Sequence, residues 1–342
     1  MDFSLLYFAN REVTDAPKEY DLLFDAAAFA DVNDFTAVWL PERHFHPFGG
    51  AYPNPALAAA ALARVTERLR LRAGSVVLPL HDPLTVVEDW SFVDNLSRGR
   101  VDLAIATGWN ANDFVLRPDR YPDRRQHTLD AVGVLRDLWA GKSTTRRNGL
   151  GAEVEVTTFP RPVQADPGLW LTCSSNPSGF VEAGELGMNV LTALLFQSVD
   201  DLRTRVLSYR EARERHGLDP ATGRVTLMVH TFVGPTDEAV REATREPFLR
   251  YLESSVDLWK NHWTDLAGRA GGTKLLEYAF ERYFRTSALL GSVEKCTAFV
   301  RDLADAGVDE VACLIDFGAP AQATLDALPY LNQVRLAVRG GA

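Results

Sequence analysis

Cysteine is scarce in this chain: Cys173, Cys296 and Cys313 are the only three among 342 residues. Three scattered thiols build neither a disulfide framework nor a cysteine zinc site. Each lies in an apolar run, which suits a buried free thiol and a reducing cytoplasm. No run reaches the roughly 18 apolar residues that a membrane-spanning helix needs. The opening MDFSLLYFAN lacks a basic stretch and reads as a first strand rather than a signal peptide. Positive charge is also short. Lys and Arg number 36 against 46 for Asp and Glu, a net −10, which speaks against nucleic acid or an anionic membrane as partner. There is no G-x-S-x-G nucleophile elbow, no Rossmann glycine fingerprint and no P-loop.

What the chain does have is alternation. Short apolar runs at 3–9, 36–40, 69–80, 100–108, 169–174, 189–195, 224–234 and 310–318 read as strands. Between them lie segments with helical spacing. Residues 17–34, for example, place Tyr20, Leu23, Phe24, Ala27 and Ala28 on one side after Pro17. Further helices are expected near 55–67, 84–97, 123–141, 178–187, 199–216, from 236, and over 321–338. Near-continuous apolar strands suit a parallel sheet covered on both faces. Eight βα units predict a (β/α)8 TIM barrel, one domain spanning 1–342. Two stretches exceed plain connections and are expected as insertions, one after the fourth helix (about 142–168) and one after strand seven (about 247–291).

A barrel gathers its chemistry at the C-terminal ends of its strands. Strand two ends in Glu42, Arg43 and His44, within WLPERHFHPFGG. A metal site is one reading of the acid and the two histidines, His44 and His46. Alternate residues of an extended segment face opposite ways, however, and no second cluster completes the ligand set. An ion-pair network around Glu42, with Arg43 or another arginine, is a second reading, and a catalytic or substrate-orienting role for Arg43 and His44 a third. Strand four delivers Thr107, Gly108, Trp109, Asn110 and Asp113; strand seven carries His230. Strand five ends in Ser174, Ser175, Asn176, Ser178 and Gly179, just before a helix. That turn is either an ordinary serine cap or an anion site, since a helix N-terminus presents free N–H groups and a positive dipole end.

ERHF after strand two, GWNANDF after strand four, SSNPSGFVEAGELG after strand five and AGVDEVACLIDFG at strand eight together resemble the bacterial luciferase-like flavin monooxygenases. The subgroup associated with nonribosomal peptide and polyketide biosynthesis is the most similar. The resemblance implies a TIM barrel that uses reduced FMN and dioxygen, forms a peroxyflavin and oxygenates an acyl or aminoacyl substrate, free or tethered to a carrier protein. It implies that Ser174, Ser175, Asn176, Ser178 and Gly179 hold the FMN phosphate. Gly74 and Ser75 then form a cis peptide under the flavin ring, with Thr107 and Asn110 nearby and His44 and Arg43 in catalysis. The family pattern E-H-H-F is E-R-H-F here, and Thr107 stands where luciferases carry an arginine, so the positive charge facing the phosphate is expected from Arg124 or Arg125, or from backbone N–H groups alone. A separate flavin reductase is implied, as is a homodimer paired through early helices such as 84–97, with Val87, Trp90, Phe92 and Val93 on several faces. Two other functions compete: hydride transfer with a deazaflavin on the same fold, and a non-catalytic flavin-binding barrel.

Overall fold

The structure is a computed structural model. It describes residues 1–8, 16–174, 176–195, 197–267 and 272–340, with the backbone alone at 16–19, 255–267 and 272–273. In chain order the elements are β1 (Asp2–Leu6), α1 (Ala16–Val32), β2 (Ala37–Leu40), α2 (Pro55–Ala63), β3 (Arg70–Val77), α3 (Pro83–Ser97), β4 (Val101–Ala106) and α4 (Arg124–Trp139). Then follow β5 (Thr144–Arg147), β6 (Glu153–Val156), β7 (Gly168–Thr172), α5 (Pro177–Glu185), β8 (Asn189–Ala193), α6 (Val199–Arg215) and β9 (Val225–Gly234). The chain closes with α7 (Asp237–Ala267), α8 (Gly272–Arg282), β10 (Leu289–Ser292), α9 (Val293–Asp305), β11 (Glu310–Leu314) and α10 (Ala321–Arg339).

Strands β1, β2, β3, β4, β7, β8, β9 and β11 run parallel, and pairing of β8 with β9 closes them into the expected barrel. The segment between α4 and β7 holds a separate antiparallel hairpin, β5–β6. The stretch read as an insertion from 247 is organised differently from that reading. Helix α7 runs straight through Pro247, so the boundary falls inside one helix, and α8 and the extra strand β10 follow. β10 extends the sheet beside β9.

The barrel floor is ionic. Arg72, 3% exposed, lies between Trp39 and Trp170, 4.8 and 4.6 Å from their ring centroids. Its Nη1 donates to both oxygens of Glu310 at 2.8 Å, and its Nε to Asp102 at 2.8 Å. Burial would lower the guanidinium's pKa, but Glu310 and Asp102 outweigh it and raise it. Ser4 and the Trp39 indole also donate to Glu310, at 2.6 and 3.1 Å. The Arg72 guanidinium and the Glu310 and Asp102 carboxylates are therefore paired with one another, the condition for burying charge. Toward the other end the interior turns aromatic, through Phe48, Phe248, Tyr251, Phe280, Tyr283 and Phe317. The three cysteines are buried, and burial raises the thiol pKa of Cys296 and Cys313 to about 12, which makes them packing residues. No helix among the described residues is long and apolar enough to cross a membrane.

Candidate active site

Pro41 ends β2, and the next three side chains split between two networks. Glu42, a side chain with 1% exposure, accepts the Val77 amide on Oε2 at 2.8 Å. Its Oε1 meets Nε2 of His44 at 2.9 Å and Nε2 of His81 at 2.6 Å. Burial pushes the Glu42 carboxyl up, but these hydrogen bonds overcome it and hold the group below the usual carboxylate range. Arg43 turns instead to the end of β4. Its Nη1 donates to Asp113 at 2.9 Å, and the guanidinium stacks 4.8 Å from the Trp109 ring. Burial raises the Asp113 carboxyl, against the pull of Arg43 and of Asn110, whose amide donates to it at 2.7 Å. Arg43 is 3% exposed, and its Nε and Nη2 have no hydrogen-bond partner among the described residues. The ion pair of Glu42 with an arginine, one of the sequence readings, is replaced by these two networks. Among the described residues no set of His, Cys, Asp and Glu is arranged to hold a metal.

The Gly74–Ser75 peptide is cis. A side chain at Gly74 would press on Trp39, with Cβ 3.0 Å from Cβ of that residue, so close approach of two strands requires the glycine. The Ser75 hydroxyl lies 2.5 Å from that of Thr172, on β7, a partner the sequence did not signal. Thr107 follows β4 and is half-buried. Asn110 caps the short 3-10 turn that carries Asp113.

At the β7–α5 turn, Ser175 lies outside the described residues. Ser174, Asn176 and Ser178 are exposed and Gly179 half-buried. The N-cap of α5 is Asn176, where the sequence suggests Ser175 or Ser178. Asn176 Oδ1 accepts the Ser178 amide at 3.1 Å, and the Asn176 carbonyl takes the Gly179 amide at 3.2 Å. Those two N–H groups are thereby engaged, while the Ser178 hydroxyl is released from capping and accepts from Arg125 Nη2 at 2.7 Å. Arg125 also pairs with Glu182. Arg124 is committed elsewhere, to the carbonyls of Gly108 and Tyr121, both at 2.9 Å.

Opposite, β9 presents His230, 4% exposed, among the rings of Phe248, Tyr251, Tyr283 and Phe317, at 4.9 to 6.2 Å. Burial drives its imidazole down to about 3, so it is neutral at ordinary pH. The two aromatics of ERHFHPF divide. Phe48 is buried against Phe8 and Tyr251, with centroids 5.1 Å apart in both pairs, whereas Phe45 is 64% exposed.

Comparison with known proteins bears on this site. The flavin-dependent trigonelline monooxygenase oxygenase component of Acinetobacter baylyi is 28% identical over 254 residues, 72% of this chain and 69% of its own. The 4-hydroxyprotoasukamycin monooxygenase of Streptomyces nodosus subsp. asukaensis is 27% identical over 293 residues, 82% and 76% of the two chains. In fold, the chain resembles monooxygenase RslO1 from Streptomyces bottropensis, with a TM-score of 0.85 at 20% identity over 98% and 99% of the chains. The oxygenating constituent of 3,6-diketocamphane monooxygenase from Pseudomonas putida, solved with FMN, gives 0.76 at 17% identity over 99% and 96%. An F420-dependent secondary alcohol dehydrogenase gives 0.72 at 18% over 99% of each chain. The sequence pattern of the luciferase-like monooxygenases matches residues 1–310, and the chain belongs to that family of flavin-dependent monooxygenases.

Proposed function

We propose that this chain is the oxygenase of a two-component system. It takes FMN already reduced by a separate flavin reductase and, with dioxygen, oxygenates an acyl or aminoacyl substrate, free or tethered to a carrier protein, in natural-product biosynthesis. The observation that carries the choice of FMN is the start of α5. Asn176 holds the turn, and the Ser178 hydroxyl and Arg125 remain there with the positive end of the helix dipole, a donor set suited to a single phosphate. Ser174 and Ser175 border the same turn. Gly74, Ser75, Thr107 and Asn110 are assigned to the ring end of the cofactor.

Bound reduced FMN supplies the electrons that let one atom of dioxygen enter the substrate while the other leaves as water. The chain's own residues manage protons and water. His44, fixed through Nε2 by Glu42, is assigned the proton donated to the departing oxygen. Asp113 already balances the charge of Arg43, so Arg43 acts through the direction of its Nε and Nη2 donors rather than as a net cation. Phe48 and the rings around His230 keep the region dry and favour an uncharged, apolar substrate part.

A deazaflavin with a long acidic tail fits less well, because Arg125 is shared with Glu182, a carboxylate that repels extra negative charge. A purely binding barrel has no need of two polar networks at its strand ends. The test is mass spectrometry of carrier-loaded and free amino acids incubated with the protein, a flavin reductase and oxygen. A substrate gaining one oxygen atom supports the reading; oxygen emerging only as hydrogen peroxide with every substrate class sinks it. His44→Ala and Arg43→Ala should each keep reduced-FMN affinity within roughly 1 kcal/mol while losing on the order of 10² in product.

The same reading includes a two-fold homodimer. On α3, Val87, Trp90 and Val93 are buried within the chain, but Phe92 is 53% exposed, and neighbouring α2 exposes Leu57 at 69%. Sedimentation should show a dimer at micromolar concentration, shifted toward monomer in Leu57→Glu/Phe92→Glu; a wild-type monomer refutes it.

A further inference from the structure

We propose that Glu42 and His81 are positioning residues for His44: one buried carboxylate oxygen couples two imidazoles, so the ring nearer solvent governs the proton on the ring at the site. This rests on the reading above, in which His44 handles a proton.

The geometry allows little else. Glu42 Oε1 is met by Nε2 of both rings, at 2.9 Å for His44 and 2.6 Å for His81, while Oε2 is engaged by the Val77 amide at 2.8 Å. An ionised carboxylate only accepts hydrogen bonds, so each Nε2 carries its hydrogen. The proton that comes and goes on either ring is then the one on Nδ1. The His81 side chain is 31% exposed and that of His44 12%, while Glu42 between them is 1% exposed. His81 is the ring that exchanges protons with water most readily.

The charges facing each ring set the direction of coupling. Around His81 stand Glu42, Asp89 of α3 and Arg120. Burial disfavours its charged form and Arg120 opposes it too, but Glu42 and Asp89 prevail and raise its pKa above 6.5. Around His44 stand Glu42, Asp113 and, next in the chain, Arg43. A charged His81 competes for the oxygen that would otherwise stabilise a charged His44, so the two protonations oppose each other. When His81 releases its proton, the full charge of Glu42 returns to His44. In the proposed reaction His44 gives its Nδ1 proton to the departing oxygen, becomes neutral, and regains a proton from water. Glu42 keeps the ring in the Nε2–H form throughout, and His81 sets the pH at which the proton is recovered.

The test uses the full, flavin-free chain labelled with 15N, following the ring nitrogens of His44 and His81 by NMR from pH 5 to 9, with His44→Asn and His81→Asn for assignment. Both neutral rings should show the Nε2–H pattern. The His44 signals should carry a second inflection at the His81 midpoint, and His81→Asn should erase it. Glu42→Gln should lower the proton affinity of His81 roughly tenfold, the scale for losing an opposite charge within about 4–6 Å. An Nδ1–H pattern on His44, or His44 signals blind to the His81 titration, overturns the proposal. Both are read in the wild-type chain, so a variant that fails to fold does not spare it. In the product assay, His81→Asn should move the pH at which yield changes; an unmoved profile also overturns the role given to His81. Full product yield from His44→Ala, with the NMR coupling intact, would instead remove His44 from the reaction and leave the coupling standing.

Discussion

Replacing Arg43 by Met tests whether the β2 and β4 ends are held together by charge. The side chains of Arg43 and Asp113 are 3% and 7% exposed and share one hydrogen bond of 2.9 Å. Losing a hydrogen bond between charged groups costs about 1.5–3 kcal/mol. Stacking on Trp109 adds about 0.5–2 kcal/mol, toward the low end because Trp109 is 37% exposed. Removal also strands a buried carboxylate, for which breaking a pair costs about 3–5 kcal/mol in all. Met recovers some packing and Asn110 still donates to Asp113, so the net loss at pH 7.5 should be about 3 kcal/mol, at the low end of that range. The pH dependence is more discriminating than the size. Burial already raises the Asp113 carboxyl, and loss of Arg43 raises it further. A carboxyl raised on folding takes up its proton in the folded state first, so stability rises as pH falls through the folded value. The gain is about 1.4 kcal/mol for each pH unit over which only the folded protein holds that proton. Urea unfolding should therefore show Arg43→Met losing about 3 kcal/mol at pH 7.5 and clearly less at pH 5. The double variant Arg43→Met/Asp113→Asn should recover about 2 kcal/mol at pH 7.5 and lose the pH dependence, since it leaves no stranded charge. An equal loss at both pH values, or no recovery in the double variant, would refute the reasoning.

At the β7–α5 turn, Ser178→Ala should weaken reduced-FMN binding by about 1 kcal/mol and Arg125→Ala by about 1.5–3, in proportion to the charge each brings. Titration calorimetry with the fold intact decides; unchanged affinity in Arg125→Ala would move the phosphate elsewhere. On the barrel floor, Arg72→Met leaves Glu310 with the longer ion pair to Arg224 at 3.7 Å, while Arg70 still neutralises Asp102 through two bonds of 2.6 Å. It should cost about 3–5 kcal/mol, largely restored by adding Glu310→Gln. Thermal unfolding of the single and double variants measures this, and a single variant as stable as wild type would show the floor to be dispensable.

The local sequence determined the rhythm of this protein. Apolar runs of strand length alternating with helical spacing define eight βα units, and the order of the units places Glu42, Arg43, His44, Asn110 and the serine turn at the chemical end of a barrel. That much is legible because periodicity and strand ends are properties of neighbouring residues. The partners are not. Arg43 meets Asp113 seventy positions away, and His81 meets Glu42 across thirty-nine, because parallel closure brings the ends of β2, β3 and β4 side by side. Sequence spacing carries no trace of that register, so the ion-pair reading gives Glu42 an arginine, and nothing in it points to His81. At the β7–α5 turn the sequence suggests Ser175 or Ser178 as the cap, yet Asn176 takes it, because its carboxamide reaches the Ser178 amide two residues on. The insertion expected from about 247 has no edge there, since α7 passes through Pro247; packing of Phe248, Tyr251 and Leu252 into the core outweighs the lost backbone bond. Local pattern chose the elements; the closing of the sheet decided which side chains meet, and with that which groups keep their charge in the interior.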